Sequence, residues 1–238
     1  MIKKTSSQKQ DEKINSLSDI TKIVYPGEII YEGLDAIPGS GVYRRENKII
    51  SKTVGIVKKR GSVINVIPLN GIYLPKPGDY VIGEIIDIGV NFWLVDINSP
   101  YDGFLGIYDI ADFIDKEVDI SNIYDVGDLI YAKIFRVTKT KYINLTMKDP
   151  QAKKLHKGYV IEIPASKVPR VIGRGGSMIK VIKEKTQTRI LVGQNGRIWI
   201  YGKNADVAAE AIMYVEENSL KKGLTDMVGK LIEEKLKS

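Results

Sequence analysis

The sequence predicts a multidomain protein that is mainly β up to about residue 150 and α+β beyond it. Short runs rich in β-branched and aromatic residues, separated by glycine and proline turns, fill residues 22–147. A Leu-Pro-Lys-Pro-Gly segment at 74–78 divides these runs into two sets, and it is stiff because each proline fixes φ. Apolar residues at helical spacing then flank a glycine-rich loop at 173–176. These observations predict a small all-β domain, a β-barrel and a C-terminal α+β domain.

The composition narrows the class of protein. The 238 residues allow one to three domains, and the hydrophobic share of 43% and charged share of 27% are typical of globular proteins. The chain has no cysteine, which excludes disulfides, thiolate nucleophiles and zinc–cysteine sites. No apolar run reaches membrane-spanning length, and the N-terminus has no signal-peptide pattern. We therefore expect a cytoplasmic protein with no membrane partner.

The net charge of +7 favours an anionic partner, and it is unevenly spread. Residues 1–74 carry +5, residues 75–150 carry −6 and residues 151–238 carry +8. Such sign changes are typical of separate modules with separate surfaces. The last and most basic segment is the strongest candidate for binding nucleic acid.

Residues 1–74 are predicted to comprise a tail and a β domain. Residues 1–18 are polar and lysine-rich, which predicts a flexible tail. Residues 19–74 are predicted to form an N-terminal β domain, because turn residues separate their short apolar runs. Its strands are expected at 29–31, 41–43, 49–50, 53–57 and 62–67.

Residues 75–150 are predicted to form an OB-type barrel. The pattern is five short strands with a helical turn at 109–113 between the third and the fourth. Gly83 is expected to mark a bulge in the first strand. The strands are expected at 79–88, 92–97, 104–107, 129–137 and 142–147.

Residues 151–238 are predicted to alternate in the order β-α-α-β-β-α, with an amphipathic helix at 220–237 after them. Asn195-Gly196 predicts a hairpin between the last two strands. The strands are expected at 159–163, 188–192 and 197–201, and the helices at 165–172, 177–186 and 204–217.

The glycine-rich loop between the first two helices of this region has the G-x-x-G spacing. Glycines let a phosphate backbone approach closely, and the N–H groups that begin the next helix favour an anion. The loop and the element order resemble a KH domain, although an ordinary tight turn is the alternative reading of the loop alone. The resemblance implies RNA contacts from Arg170, Gly173, Arg174, Gly175, Gly176 and Lys180.

The barrel region resembles an S1 RNA-binding domain. The similarity lies in Gly-Phe-Leu-Gly-Ile at 103–107, Val-Gly-Asp at 126–128 and Ile-Asn-Leu-Thr at 143–146. A shift of one residue in strand register would move Trp93 from the surface to the core. The candidate RNA contacts are Trp93, Tyr101, Lys133, Arg136, Lys139 and Lys141, and solvated charges at strand ends are the alternative for the cations.

The order of the three parts, with the segments 37–43, 71–83 and 93–101, resembles the RNA-binding cap subunit of the archaeal exosome, the ribosomal RNA-processing protein four family. The other archaeal cap protein carries a cysteine-ligated zinc ribbon, which this cysteine-free chain excludes. The resemblance implies a cap on a hexameric ring of ribonuclease PH-like subunits, docked through residues 19–74. Three copies, alone or mixed with the zinc-ribbon protein, would thread 3′ ends of single-stranded RNA into the ring.

The sequence gives little support for catalysis, cofactors or metals. His156 is the one histidine, and it lies in a basic linker. The acidic residues at 109–119 are more typical of a solvated loop than of a divalent-ion site, and no Ser-His-Asp arrangement or Walker loop is present. The alternative function is a free-standing S1/KH regulator or translation-associated factor, which would not need the N-terminal domain for docking.

Overall fold

The structure, a computed structural model, describes residues 22–69, 71–110, 120–219, 221 and 223–237. The predicted tail at 1–18 and four of the acidic residues, Asp112, Asp115, Glu117 and Asp119, lie outside them. The chain divides into two compact units, residues 1–71 and 72–238. Within the described part, no helix has both the length and the apolar character needed to cross a membrane.

The first unit folds as two small antiparallel-rich sheets. One sheet has the order β1-β6-β7-β3 and the other the order β2-β5-β4. The strands are β1 (Ile23–Val24), β2 (Ile29–Glu32), β3 (Ile37–Pro38), β4 (Val42–Arg45), β5 (Lys48–Ser51), β6 (Gly55–Arg60) and β7 (Val63–Pro68). The β1 and β3 strands are too short to have been predicted.

The core of this unit comes from alternate residues of those strands. Val24, Ile49, Ile64 and Val66 are fully or almost fully buried together. The β6 strand begins two residues later than predicted, because the Ser51 hydroxyl donates to the Thr53 carbonyl and holds a turn there (2.7 Å). The predicted small all-β domain is confirmed, with a shifted boundary in its fourth predicted strand.

The second unit begins with a closed β-barrel, as predicted. Its strands are β8 (Tyr80–Ile88), β9 (Phe92–Asp96), β10 (Gly103–Gly106), β11 (Leu129–Val137) and β12 (Ile143–Thr146), with β13 (Lys153–Leu155) paired to β11. The barrel closes because β12 pairs parallel with β10 and antiparallel with β11. This is the strand order of an OB-type barrel, and short 3₁₀ turns at Ile107–Asp109 and Ile120–Asn122 lie between β10 and β11.

The predicted bulge at Gly83 is wrong. Gly83 pairs in regular register with Ile130, and the irregularity in β8 lies between Ile85 and Asp87. A β-carbon at Gly83 would collide with the Val95 side chain. Glycine is therefore required at this position by close packing inside the barrel.

The rest of the unit has the predicted order β-α-α-β-β-α with one further helix. The strands β14 (Tyr159–Glu162), β15 (Arg189–Val192) and β16 (Arg197–Tyr201) form a sheet of order β14-β16-β15. The helices are α1 (Val168–Ile172), preceded by a 3₁₀ turn at Ala165–Lys167, then α2 (Ser177–Thr186), α3 (Ala205–Glu217) and α4 (Leu224–Lys235). The α4 helix buries Leu224, Val228 and Ile232 in the common core.

The β14-β16-β15 sheet packs one face against the barrel, through hydrogen bonds and apolar contacts. Asn195 is 1% exposed, and its amide donates to the carbonyls of Ile82 (2.8 Å) and Ile97 (2.9 Å). The Arg197 guanidinium donates to the Asp96 carbonyl at 2.9 Å and pairs with the Asp96 carboxylate. The apolar part comprises Ile82, Tyr131, Leu155 and Trp199. The two domains of this unit therefore present one continuous, fixed surface.

Candidate nucleic-acid interface

The glycine loop joins the end of α1 to the start of α2 through three residues with positive φ. Gly173 has φ +78°, Gly175 has φ +59° and Gly176 has φ +80°. L-amino acids with a β-carbon rarely adopt such values, so the sequence Gly-Arg-Gly-Gly fits this path and few others do. In the described part of the chain no side chain caps the N-terminus of α2, and its first N–H, that of Ser177, donates to the Arg174 carbonyl. The positive end of the α2 dipole lies at the glycine loop and favours an anion there.

The glycines differ in what surrounds them. A β-carbon at Gly173 would lie 2.6 Å from the Met178 backbone nitrogen, so this glycine is required by the fold. A β-carbon at Gly175 or Gly176 would meet no described atom within 4 Å. The two glycines therefore face open space, where a phosphate backbone can approach the loop.

Three cationic residues lie around this loop in the chain. Arg174 is exposed between the glycines. Lys180 is exposed one turn into α2 and lies 3.8 Å from Glu184. Arg170 is exposed but donates to the Lys221 carbonyl (2.6 Å), so its guanidinium is partly committed. Arg174 is consequently the least restrained of the predicted phosphate contacts.

On the barrel, the structure corrects the position expected for Trp93. Its side chain is fully buried, its indole Nε1 donates to the Tyr124 carbonyl at 2.9 Å, and its ring meets the Tyr124 ring edge to face. Trp93 is a core residue, and it offers no face on which an RNA base could stack.

The outward residues of the same strands form an exposed aromatic surface that sequence reasoning missed. Phe104 stacks on Tyr142 with 3.9 Å between ring centroids, and Phe92 lies 5.8 Å from Phe104. Phe92 is 38% exposed and Tyr142 is 43% exposed. We call Phe92, Phe104 and Tyr142 the aromatic strip. The alternation that buries Trp93 and Leu105 places their neighbours Phe92 and Phe104 outside, which was the available signal.

Some predicted cationic contacts of the barrel lie close to this strip in the chain. Lys141 precedes Tyr142, and its Nζ lies 5.9 Å from the centroid of the Tyr101 ring. Arg136 and Lys139 are exposed on β11 and the turn after it. A surface of stacked rings with exposed cations nearby in the chain suits single-stranded nucleic acid, because bases stack on the rings and cations hold the phosphates.

Lys133 is engaged elsewhere. Its Nζ lies 2.9 Å from Asp149 and above the Tyr80 ring. The Asp149 carboxylate also accepts from the Tyr80 hydroxyl (2.7 Å) and the Gln151 N–H (3.1 Å). The hydroxyl first, then Lys133 and the amide, lower the pKa of Asp149 to about 2. The ion pair joins β11, and the Tyr80 hydrogen bond joins β8, to the chain beyond β12.

The depressed pKa predicts a pH-dependent effect of Asp149→Asn. The carboxylate stabilises the folded chain above its unfolded pKa of about 4, and the effect is lost as pH falls toward the folded value. The variant should therefore unfold at lower urea than the wild type at pH 7, by a margin constant above about pH 5 that shrinks toward pH 2. A margin independent of pH would show that the charge of Asp149 is not involved.

The acidic residues give no metal site within the described residues. No group of three or more histidine, aspartate or glutamate side chains there could hold an ion. Asp109, the described member of the acidic stretch, has a pKa raised by burial. His156 is exposed in the segment that follows β13.

Two family models match the chain. The model described as the exosome RNA binding protein RRP4 N-terminal domain matches residues 21–70. The model described as the KH domain matches residues 158–217. The two matches lie in the first compact unit and in the domain that carries the glycine loop.

Relatives cover most of the chain. Exosome complex component Rrp4 of Pyrococcus horikoshii is 42% identical over 221 residues, covering 89% of this chain and 82% of the relative. The Rrp4 of Picrophilus torridus is 43% identical over 213 residues, covering 88% and 91%. A crystal structure of a candidate exosome complex RNA-binding protein is 38% identical with a TM-score of 0.64, covering 70% of this chain and 98% of that one.

Proposed function

This chain belongs to the Rrp4 family of exosome complex components, and we propose that it is the non-catalytic RNA-binding cap subunit of an archaeal exosome. In this role it binds single-stranded RNA and guides 3′ ends into a ring of ribonuclease PH-like subunits. The chemistry of degradation would reside in the ring.

The observation that carries the RNA-binding part is the open glycine loop next to an uncapped helix start. Gly175 and Gly176 leave room for a phosphate, Arg174 supplies a charge, and the positive end of the α2 dipole favours an anion. The aromatic strip lies in the same compact unit and adds stacking surfaces. Backbone clamping and stacking carry little base information, so binding should tolerate many sequences and weaken with salt.

The first unit supports the docking part of the proposal. Leu34 is 79% exposed and Tyr25 is 63% exposed, although one is large and apolar and the other aromatic. They are two of eight large hydrophobic or aromatic residues that are exposed in the described part of this unit. Single exposed residues are normal, whereas an extended apolar patch is typical of a surface that contacts another protein. We assign this unit to the ring contact, with three copies of the chain completing a cap.

Reconstitution with the ribonuclease PH-like subunits of the same organism tests the proposal. The full chain should co-elute with the ring in size-exclusion chromatography with light scattering. The Leu34→Asp variant should lose this association, because a charge would be buried in the contact. The control Leu236→Asp makes the same change on the exposed end of α4 and should still assemble.

The results also separate the two functions considered for the sequence. RNA binding without any association with the ring would favour the free-standing regulator. Degradation of RNA by the purified chain alone would contradict the non-catalytic role.

A further inference from the structure

A basic pocket lies at the joint between the barrel and the KH-type domain. Its volume is about 530 Å³. Lys153 and Lys157 line it from β13 and the segment after β13, Lys183 from α2 and Arg189 from β15, while Trp199 and Tyr201 of β16 complete the wall. We call this the junction pocket. It is separate from the glycine loop and from the aromatic strip.

The pocket carries positive charge that is offset only at Lys154, among the described residues that line it. Four lysines, one arginine and one histidine line the pocket, and none of its described lining residues is acidic. Lys154 is bound to Asp128 and to the Ile123 carbonyl, so its charge is already compensated. Within the part of the chain that the structure describes, Lys153, Lys157 and Arg189 form no ion pair.

The clustering of cations in the pocket destabilises the charged form of Lys183. It is half-buried, and burial first and repulsion from Lys153 second lower the pKa of its ammonium group. Like charges held together without a counter-charge destabilise the folded chain. A bound anion would remove that repulsion, so the pocket gains stability when it is occupied.

The pocket is built on rigid elements. Trp199 is 6% exposed and stacks on Tyr201 at 5.9 Å between centroids. Its indole Nε1 donates to the Lys157 carbonyl (2.8 Å), which fixes the basic segment against the sheet. The backbone that carries Lys157 is therefore fixed against the sheet, beside the aromatic residues that line the pocket.

The position of the pocket identifies the class of anion. Lys183 lies on α2, the helix that begins at the glycine loop, seven residues after Gly176. At 1.5 Å per residue this is about 10 Å along the helix axis. A polyanionic strand bound at the glycine loop is long enough to follow α2 to the junction pocket. A small anion is too short to contact the glycine loop and the pocket at once.

We infer that the junction pocket binds backbone phosphates of the single-stranded RNA that the glycine loop holds, and so lengthens the RNA-binding site. The inference rests on the proposed RNA-binding function. It predicts that neutral residues in the pocket weaken RNA binding beyond the effect of the lost net charge.

The test compares two triple variants of the full chain that lose the same charge. The pocket variant is Lys153→Gln, Lys157→Gln and Lys183→Gln. The control is Lys52→Gln, Lys230→Gln and Lys237→Gln, at exposed positions that do not line the pocket. Fluorescence anisotropy with a labelled single-stranded RNA, repeated over several salt concentrations, gives the affinity and its salt dependence.

The pocket variant is expected to bind about tenfold more weakly than the control at low salt. Its log–log salt slope should fall by about 2, since each single-strand phosphate contact contributes about 0.7. Affinity and slope equal to those of the control would overturn the inference and leave the proposed function intact. If the wild type does not bind RNA, both the inference and the proposed function are contradicted.

A second measurement separates a strand site from a small-anion site. Backbone amide signals of residues 153–157 and 189–191 are followed by NMR during titration with RNA and, separately, with inorganic phosphate at matched ionic strength. We expect these signals to shift with RNA. Shifts with inorganic phosphate and none with RNA would overturn the inference.

Discussion

Replacing Arg174 and Gly175 together by aspartate is expected to weaken single-stranded RNA binding by about 30- to 150-fold. The change removes a charge-assisted contact worth about 2–3 kcal/mol and places two carboxylates where a phosphate would lie. The fold should be retained, because a side chain at position 175 meets no described atom and aspartate tolerates positive φ. Fluorescence anisotropy measures the affinity, and the urea midpoint checks the fold.

The chain offers a matched control for this experiment. Arg60-Gly61 is a second exposed Arg-Gly pair, at the hairpin between β6 and β7, and Gly61 has φ +56° against +59° for Gly175. Arg60→Asp with Gly61→Asp gives the same charge change in the first unit. Equal losses of affinity in the two double variants would show that net charge, and not the glycine loop, governs RNA binding.

Trp93→Ala is expected to lower stability and Phe92→Ala to weaken RNA binding, although the two residues are neighbours on β9. Trp93→Ala should lower the free energy of unfolding by about 3–5 kcal/mol, because a fully buried indole is removed and the Tyr124 carbonyl loses its donor. Phe92→Ala should change stability by about 1 kcal/mol or less but weaken RNA binding by about 1–3 kcal/mol, the cost of losing one stacking surface.

Urea denaturation and anisotropy on both variants distinguish the two roles. If Trp93→Ala prevents folding, Trp93→Phe provides a milder change that removes only part of the ring and the Nε1 donor. Normal RNA affinity of Phe92→Ala would remove the aromatic strip from the interface. A loss of affinity in a stably folded Trp93→Phe, with Phe92→Ala unaffected, would contradict the assignment of Trp93 to the core.

The sequence predicted the parts of the fold that depend on short stretches. The helix at 177–186, the glycine loop and the hairpin at Asn195-Gly196 follow from local spacing and turn preferences, and the structure has each of them. What Asn195 does with its side chain could not be predicted. Its amide bonds the backbone of Ile82, 113 positions earlier, and that partner depends on how the sheet packs on the barrel.

The same limit applies to the candidate interface. The aromatic strip draws one residue from β9, one from β10 and the residue just before β12, so it exists only once the barrel has closed. The junction pocket likewise combines β13 with α2 and β15. Alternation on β9 and β10 indicates that Phe92 and Trp93 face opposite sides, as do Phe104 and Leu105, but all four are large and apolar, so only the register decides which side is outward.

Ultraviolet crosslinking of single-stranded RNA to the full chain, with the attached peptides identified by mass spectrometry, tests the central claim most directly. We predict crosslinks at the glycine loop, residues 173–176, and at the aromatic strip on Phe92 and Tyr142. Crosslinks confined to residues 22–69, or none above those of a protein that does not bind RNA, would contradict the assignment of RNA binding to the second unit.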